Sequence, residues 1–193
     1  VLKTAISDLE VDQREVNSIL YHIKYPIENS NDFITIATTR PETMLGDTAI
    51  AVNPKDKRYK SLVGKTVLIP FVERKIKIIT DEYADPKQGT GAVKITPAHD
   101  FNDNDVGKRN KLDLINIFND DGTMNKNCPD KYQGLDRFEA RKIILNDLEN
   151  LGLLVKQENI KNKVPFGDRS NSVIEPYLTE QWFVDAKKLS INA

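Results

Sequence analysis

A lysine, a threonine and two aspartates stand within ten residues of one another in the run Lys94-Ile95-Thr96-Pro97-Ala98-His99-Asp100-Phe101-Asn102-Asp103. Lys94 and Thr96 share one face of a strand, because side chains alternate with a period of two. Pro97 stops the strand, and Asp100 and Asp103 follow at a helix entry. Such a set can order a water, or hold an ammonium and a hydroxyl side by side. It also suits a salt-bridged loop. A second polar interruption is Ala37-Thr38-Thr39-Arg40-Pro41-Glu42-Thr43, where a strand ends in two hydroxyls and a guanidinium before a proline. Here too a capped strand end is an adequate structural account.

Other chemistries lack their spacing. Gly89-Thr90-Gly91 is no phosphate loop, because no Gly-Lys pair completes G-x-x-x-x-G-K-[ST]. The acidic run from Asp100 lacks the glycine and distal glutamate of a calcium loop. His22 and His99 are too far apart for zinc spacing, and neither accompanies a G-x-S-x-G elbow. Cys128, the one cysteine, forbids an internal disulfide framework and reads as inert. Trp182 reads as packing.

The elements that must carry these residues are short. Period-two and β-branched stretches predict strands at Ile19–Lys24, Phe33–Thr38, Thr48–Val52, Thr66–Ile69, Ile76–Thr80, Ala92–Thr96, Leu114–Phe118 and Leu153–Lys156, with turn signals between them. A helix starts at Asp136 with Glu139 completing a capping box, buries Ala140, Ile143, Ile144, Leu148 and Leu151, and stops at Gly152. A shorter helix runs from about Asn102 to Leu112. The expected fold is α+β, mostly β: a curled sheet or β-barrel core with packed helices.

The chain has 193 residues, 28 basic and 29 acidic, for a net charge of −1. A free-standing duplex binder carries a basic surplus, so any nucleic acid here is a short piece. The local excess from Lys55 to Lys77 reads as a solvated surface, with a phosphate-facing edge as the sharper alternative. No apolar stretch of about 18 residues exists, so no transmembrane helix is expected, and the polar start holds no signal core. The lone thiol fits a cytoplasmic protein. The apolar, aromatic end from Tyr177 to Val184 looks like a continuation into another domain.

At the two polar clusters the sequence resembles a known family. Thr38-Thr39-Arg40-Pro41-Glu42-Thr43-Met44-Leu45-Gly46-Asp47 is similar to the signature of the editing insertion of the valyl-tRNA synthetases, class I aminoacyl-tRNA synthetases. Gly89–Asp103 (GTGAVKITPAHDFND), Gly134–Arg141 (GLDRFEAR) and Val173–Val184 (VIEPYLTEQWFV) are further ordered matches, spanning essentially the whole chain. Arg40, Glu42 and the run Met44–Asp47 favour the valine branch over the leucine and isoleucine branches.

The resemblance implies one editing domain over residues 1–193, with 1–18 and 177–193 connecting to a catalytic domain. It implies hydrolysis of the ester in threonyl-tRNA(Val). An apolar pocket rejects threonine against valine only weakly, the known figure for this synthetase family being about 10²-fold. A second site must therefore welcome the hydroxyl. By the same resemblance, Asp103 holds the α-ammonium. Lys94, Thr96 and Asp100 line the side-chain pocket and place the water, and Arg40, Thr38 and Thr39 contact the terminal adenosine and the ester. Gln88 stands where phenylalanine is usual and takes the place of a stacking platform. Asn110 and Asn171 replace a usual histidine and glycine and read as surface changes.

No metal and no cofactor are expected. ATP and magnesium belong to a catalytic domain whose HIGH-like and KMSKS-like segments this chain lacks. The expected partners are the tRNA(Val) 3′ end and the rest of the synthetase, with no membrane, and the domain is expected to be monomeric. The alternatives are an idle tRNA-docking module and an editing domain of the isoleucyl or leucyl type.

Overall fold

A computed structural model describes residues 10–178 and 184–190. Seven strands form two sheets. The first holds β1 (Val11–Pro26) between β2 (Phe33–Thr38) and β7 (Leu154–Gly167), all antiparallel. The second runs β4 (Thr66–Leu68), β5 (Lys75–Thr80), β3 (Ala49–Val52), β6 (Ala92–Ile95), with β3 and β5 parallel. The α+β, mostly β expectation holds. The two sheets do not close into one barrel among the described residues.

β3 is buried along its whole length because α1 (Phe101–Asn110) covers its other face. A continuous apolar run is what a strand covered on both sides requires. Ile50 and Val52 join the main core with Ile23, Tyr25, Ile34, Ile36 and Ile78. Ala49 and Ala51 meet Ile95, Ala84 and Val106 under α1. Small side chains there let the helix come close, as does Gly107, where a Cβ would lie 2.8 Å from the Pro97 ring. In β5, buried Ile76 and Ile78 alternate with exposed Lys75 and Lys77, as the sequence predicts.

α1 starts one residue earlier than expected because Asp100 caps it, its Oδ1 accepting from the Asn102 and Asp103 amides at 2.8 and 3.1 Å. α2 (Arg137–Asn150) is N-capped by Asp136 and buries Ala140, Ile144 and Leu148, and Gly152 follows with φ +66. The capping box forms only by half. Asp136 accepts from the Phe138 amide, while Glu139 turns outward to Lys142. Leu151 caps the helix and is exposed. A short α3 (Ala186–Leu189) lies near the end of the chain.

The strand expected at Leu114–Phe118 is absent, leaving one bridge between Phe118 and Met124. Asn125 Nδ2 donates to the carbonyls of Asn116 and Phe118, and Asn116 Oδ1 accepts from the Phe118 amide. Side chains thus satisfy backbone that a ladder would otherwise use. Conversely, β1 and β7 run much longer than expected. Their outer halves carry only scattered apolar residues (Val11, Val16, Ile160, Val164, Phe166) among polar ones and pair from Val11 with Gly167 inward, too sparse a pattern for hydrophobic alternation to mark them.

Candidate functional site

The end of β6 and the start of β3 lie side by side because the two strands pair antiparallel with Ala49 opposite Ile95 and Ile50 opposite Lys94. Residues just past β6 therefore meet residues just before β3. Thr96 Oγ1 lies 2.6 Å from Asp47 Oδ1, and Lys94 Nζ lies 2.6 Å from Thr96 Oγ1 and 3.3 Å from Asp47 Oδ1. The Tyr25 hydroxyl donates to the other oxygen of Asp47 at 2.7 Å. Asp103, in the first turn of α1, accepts from the Thr96 amide at 2.8 Å. Lys94, Thr96 and Asp103 are 8%, 1% and 5% exposed. That burial separates the cluster from a salt-bridged surface loop.

Burial pushes the Asp103 carboxyl up to about 7, with the Lys94 ammonium opposing and the Asp100 carboxylate adding to the rise. Asp47 is pushed up by its own burial, again against Lys94. Asp100 itself is half-buried and spends Oδ1 on the α1 cap. It reaches the cluster through its bond to the Asp103 amide and through its charge.

The first motif meets the second through Arg40. Its guanidinium donates to the His99 carbonyl at 2.8 Å, and its amide donates to Thr38 Oγ1 at 3.0 Å. The rest of the guanidinium faces inward, 3.2 Å from Glu175 and 3.6 Å from Glu42. Glu42, fully buried, takes two bonds of 2.7 Å from Arg141. Arg137 lies 2.8 Å from Glu175. Ion pairs therefore tie together three of the four motifs, and the Arg40 bond to the His99 carbonyl adds the fourth. Apart from the Arg141–Glu42 fork, Arg40 Nε and Nη2, Arg137 Nε and Glu175 Oε2 lack aligned hydrogen bonds, so charge holds this web more than geometry does.

Thr39 follows in a half-buried bend, and Gln88 sits exposed on a turn. No described hydrogen bond joins either to the Lys94 cluster. The Gln88 turn nevertheless runs beside β2. A Cβ on Gly89, at φ +53, would lie 2.9 Å from Ala37 Cβ, so glycine permits both the conformation and the approach.

Asp47, Glu42 and Glu175 were given no role from sequence. The available signal was a charged residue inside an apolar run, as in Met44-Leu45-Gly46-Asp47-Thr48-Ala49-Ile50. Asn110 is an anchor rather than a surface change, donating to Asp81 at 3.0 Å. Asn171 takes φ 56, which explains the usual glycine there. His99 accepts from the Ile117 amide at 2.9 Å, and burial holds its imidazole down at about 3. Cys128 is buried and pushed up to about 11, as an inert thiol should be.

Within Lys55–Lys77, Arg58 pairs with Asp56, Lys75 with Glu28, and Arg74 donates to backbone carbonyls of Leu45 and Asp47. Of these only Arg74 is directed inward, while Arg58 and Lys75 pair at the surface. Two open surface cavities, of about 460 Å³ beside Asp81, Tyr83 and Arg109 and about 420 Å³ beside Phe71 and Asp147, are lined by none of the cluster residues. Among the described residues no group of side chains has the makings of a metal site, and no helix is long and apolar enough to cross a membrane. Trp182, the first nine residues and much of 177–193 lie outside the described residues.

The chain is 74% identical over all 193 residues to valine–tRNA ligase of Pelagibacter ubique, covering 22% of that protein. It is homologous to a segment of the valine–tRNA ligases. Identity is 58% over 189 residues to the ligase of Francisella tularensis and 56% over 190 residues to that of Geobacillus stearothermophilus, covering 98% of this chain in both cases. The chain spans about a fifth of the length of these curated relatives. No family model matches it. The crystal structure of a LeuRS–tRNA–LeuAMS ternary complex from Agrobacterium radiobacter shares the fold, with a TM-score of 0.55 and 20% identity over 77% of this chain and 20% of that one.

Proposed function

We propose that this chain is the editing segment of a valine–tRNA ligase, and that it hydrolyses the ester joining threonine to tRNA(Val). The observation that carries the reading is the buried cluster of Lys94, Thr96, Asp47 and Asp103 where β6 ends. Buried polar groups with bonding capacity left favour a ligand that supplies it. A branched aliphatic side chain would leave them unpaired, at about 1–3 kcal/mol each, or one to two decades of discrimination.

In this reading the α-ammonium of the aminoacyl group sits on Asp103, and the β-hydroxyl is read by Lys94 and Thr96. Water adds to the ester carbonyl, the carbonyl–ribose bond breaks, and the ribose oxygen takes the proton. No enzyme-bound intermediate and no metal enter. Orientation of the water within the cluster, with the Asp100 charge nearby, supplies the rate. Thr38 and Thr39 face the terminal adenosine, with Gln88 on the neighbouring turn. Arg40 braces that edge through the His99 carbonyl. The near-neutral net charge of −1 fits contact with the single-stranded 3′ end alone, the remaining grip coming from the rest of the ligase.

The test is deacylation of threonyl-tRNA(Val) by full-length ligase carrying this segment and by its Asp103→Ala variant. The reading expects rapid hydrolysis by the first and loss in the second. Equal rates remove Asp103, and a buffer-level rate in the unmodified enzyme would point to an idle docking module.

A further inference from the structure

Asp47 takes no direct part in the reaction proposed above, yet it is fully buried and bonded to three side chains. We propose that Asp47, held in place by Tyr25, is a positioning residue that fixes the direction of the hydrogen bonds at Lys94 and Thr96 and so sets the pocket to receive a hydroxyl. The inference rests on the editing reading for its ligand.

An ionised carboxylate only accepts, an ammonium only donates, and a threonine hydroxyl has a single proton. Thr96 Oγ1 lies 2.6 Å from both Asp47 Oδ1 and Lys94 Nζ. Against the burial of Asp47, the Lys94 ammonium 3.3 Å away and the Tyr25 and Thr96 hydroxyls favour the carboxylate form. The Thr96 proton then points at Asp47, and one of the Thr96 lone pairs takes a proton from Lys94. A second Lys94 proton is directed at Asp47, 3.3 Å away. What remains is one N–H on Lys94 and one lone pair on Thr96, side by side. A substrate hydroxyl satisfies both at once, accepting from the lysine and donating to the threonine. A methyl satisfies neither.

Asp47 can enforce this because it cannot turn. Its Oδ2 accepts from Tyr25 at 2.7 Å, and its backbone amide and carbonyl are bound by Met44 and Arg74. Gly46 lets the segment approach, since a Cβ there would lie 3.1 Å from Thr96 Cγ2. Without Asp47 the Thr96 proton is free to turn outward, and the pocket then presents two donors to the ligand. Lys94 also loses its nearest counter-charge.

Two measurements test this. In full-length ligase, Asp47→Asn should lower kcat/KM for threonyl-tRNA(Val) hydrolysis by roughly 10- to 100-fold, as loss of a charge-assisted bond implies, and should shrink the ratio of threonyl to valyl hydrolysis. Tyr25→Phe should act in the same direction with a smaller loss, and it carries the test where the first variant does not fold. A drop in the unfolding midpoint with an unchanged ratio would assign both residues to stability and overturn the proposal. The second readout needs no activity. In the chain itself, the Thr96 hydroxyl proton should exchange slowly enough to be seen by NMR and should vanish in Asp47→Asn. If the wild-type enzyme leaves threonyl-tRNA intact, the editing reading fails, and this resonance still decides the bond direction. Fast exchange in the wild-type chain contradicts the proposal.

Discussion

Asp103→Asn should make the chain more stable at pH 8 and leave it nearly unchanged at pH 4. Burial raises the folded-state carboxyl to about 7 from its ordinary 3.8. A raised acid binds its proton more tightly in the folded state, so the stability of the wild type falls as pH climbs from about 4 to 7 and stays lower above that. At 1.36 kcal/mol per pH unit, the span gives a ceiling of about 4 kcal/mol. Asparagine keeps an oxygen for the Thr96 amide, which now donates to Asp103 at 2.8 Å, and removes the charge. Asp47 is shifted in the same direction, while His99 and carboxyls such as Asp81 are shifted down, so the wild-type slope mixes several groups and only the difference between variant and wild type isolates Asp103. The assay is urea unfolding of both proteins at pH 4, 6 and 8. A gap that opens with pH supports the assignment. A gap independent of pH, or an asparagine variant that is weaker at pH 8, refutes the reasoning that Asp103 is a desolvated carboxyl waiting for a cation.

His99, held down at about 3 by burial, should show no titration between pH 5 and 8 by NMR. Because its pKa is depressed, its contribution to stability is lost as pH falls below about 6.5, where the unfolded chain takes up the proton. Glu42→Gln removes the closer counter-charge of Arg141, leaving it only Glu175 at 3.7 Å, and should cost about 3 kcal/mol in urea unfolding; a loss below 1 kcal/mol would show that the four-motif web contributes little. Gly46→Ala would set a Cβ 3.0 Å from the Ile115 carbonyl and 3.1 Å from Thr96 Cγ2. It should cost about 1–3 kcal/mol and slow threonyl-tRNA hydrolysis more than an Ala98→Gly change does.

The parts of the fold legible in the sequence were those with a burial pattern. Ile34 and Ile36 in β2, Ile76 and Ile78 in β5 and the apolar run of β3 each report a face turned to the core. The outer ribbon of β1 and β7 was not legible, since its residues bury little and main-chain pairing holds it. The same contrast governs the site. Lys94, Thr96 and Asp103 stand close in sequence on elements with clear boundaries, and the structure brings them together. Asp47 reaches them only through the β3–β6 register, and Glu175 reaches Arg40 across the whole chain. Neither proximity is written in local spacing. Glu139 makes a related point: the spacing suited a capping box, but the side chain found Lys142 instead.

The most direct measurement is a complex of the protein with a non-hydrolysable threonyl-adenosine analogue, set against its valyl counterpart. The threonyl β-hydroxyl should lie within hydrogen-bond reach of both Lys94 Nζ and Thr96 Oγ1, with the ammonium on Asp103, and the valyl compound should bind at least tenfold more weakly. Equal affinity for the two, or a threonyl group bound away from β6, would contradict the account.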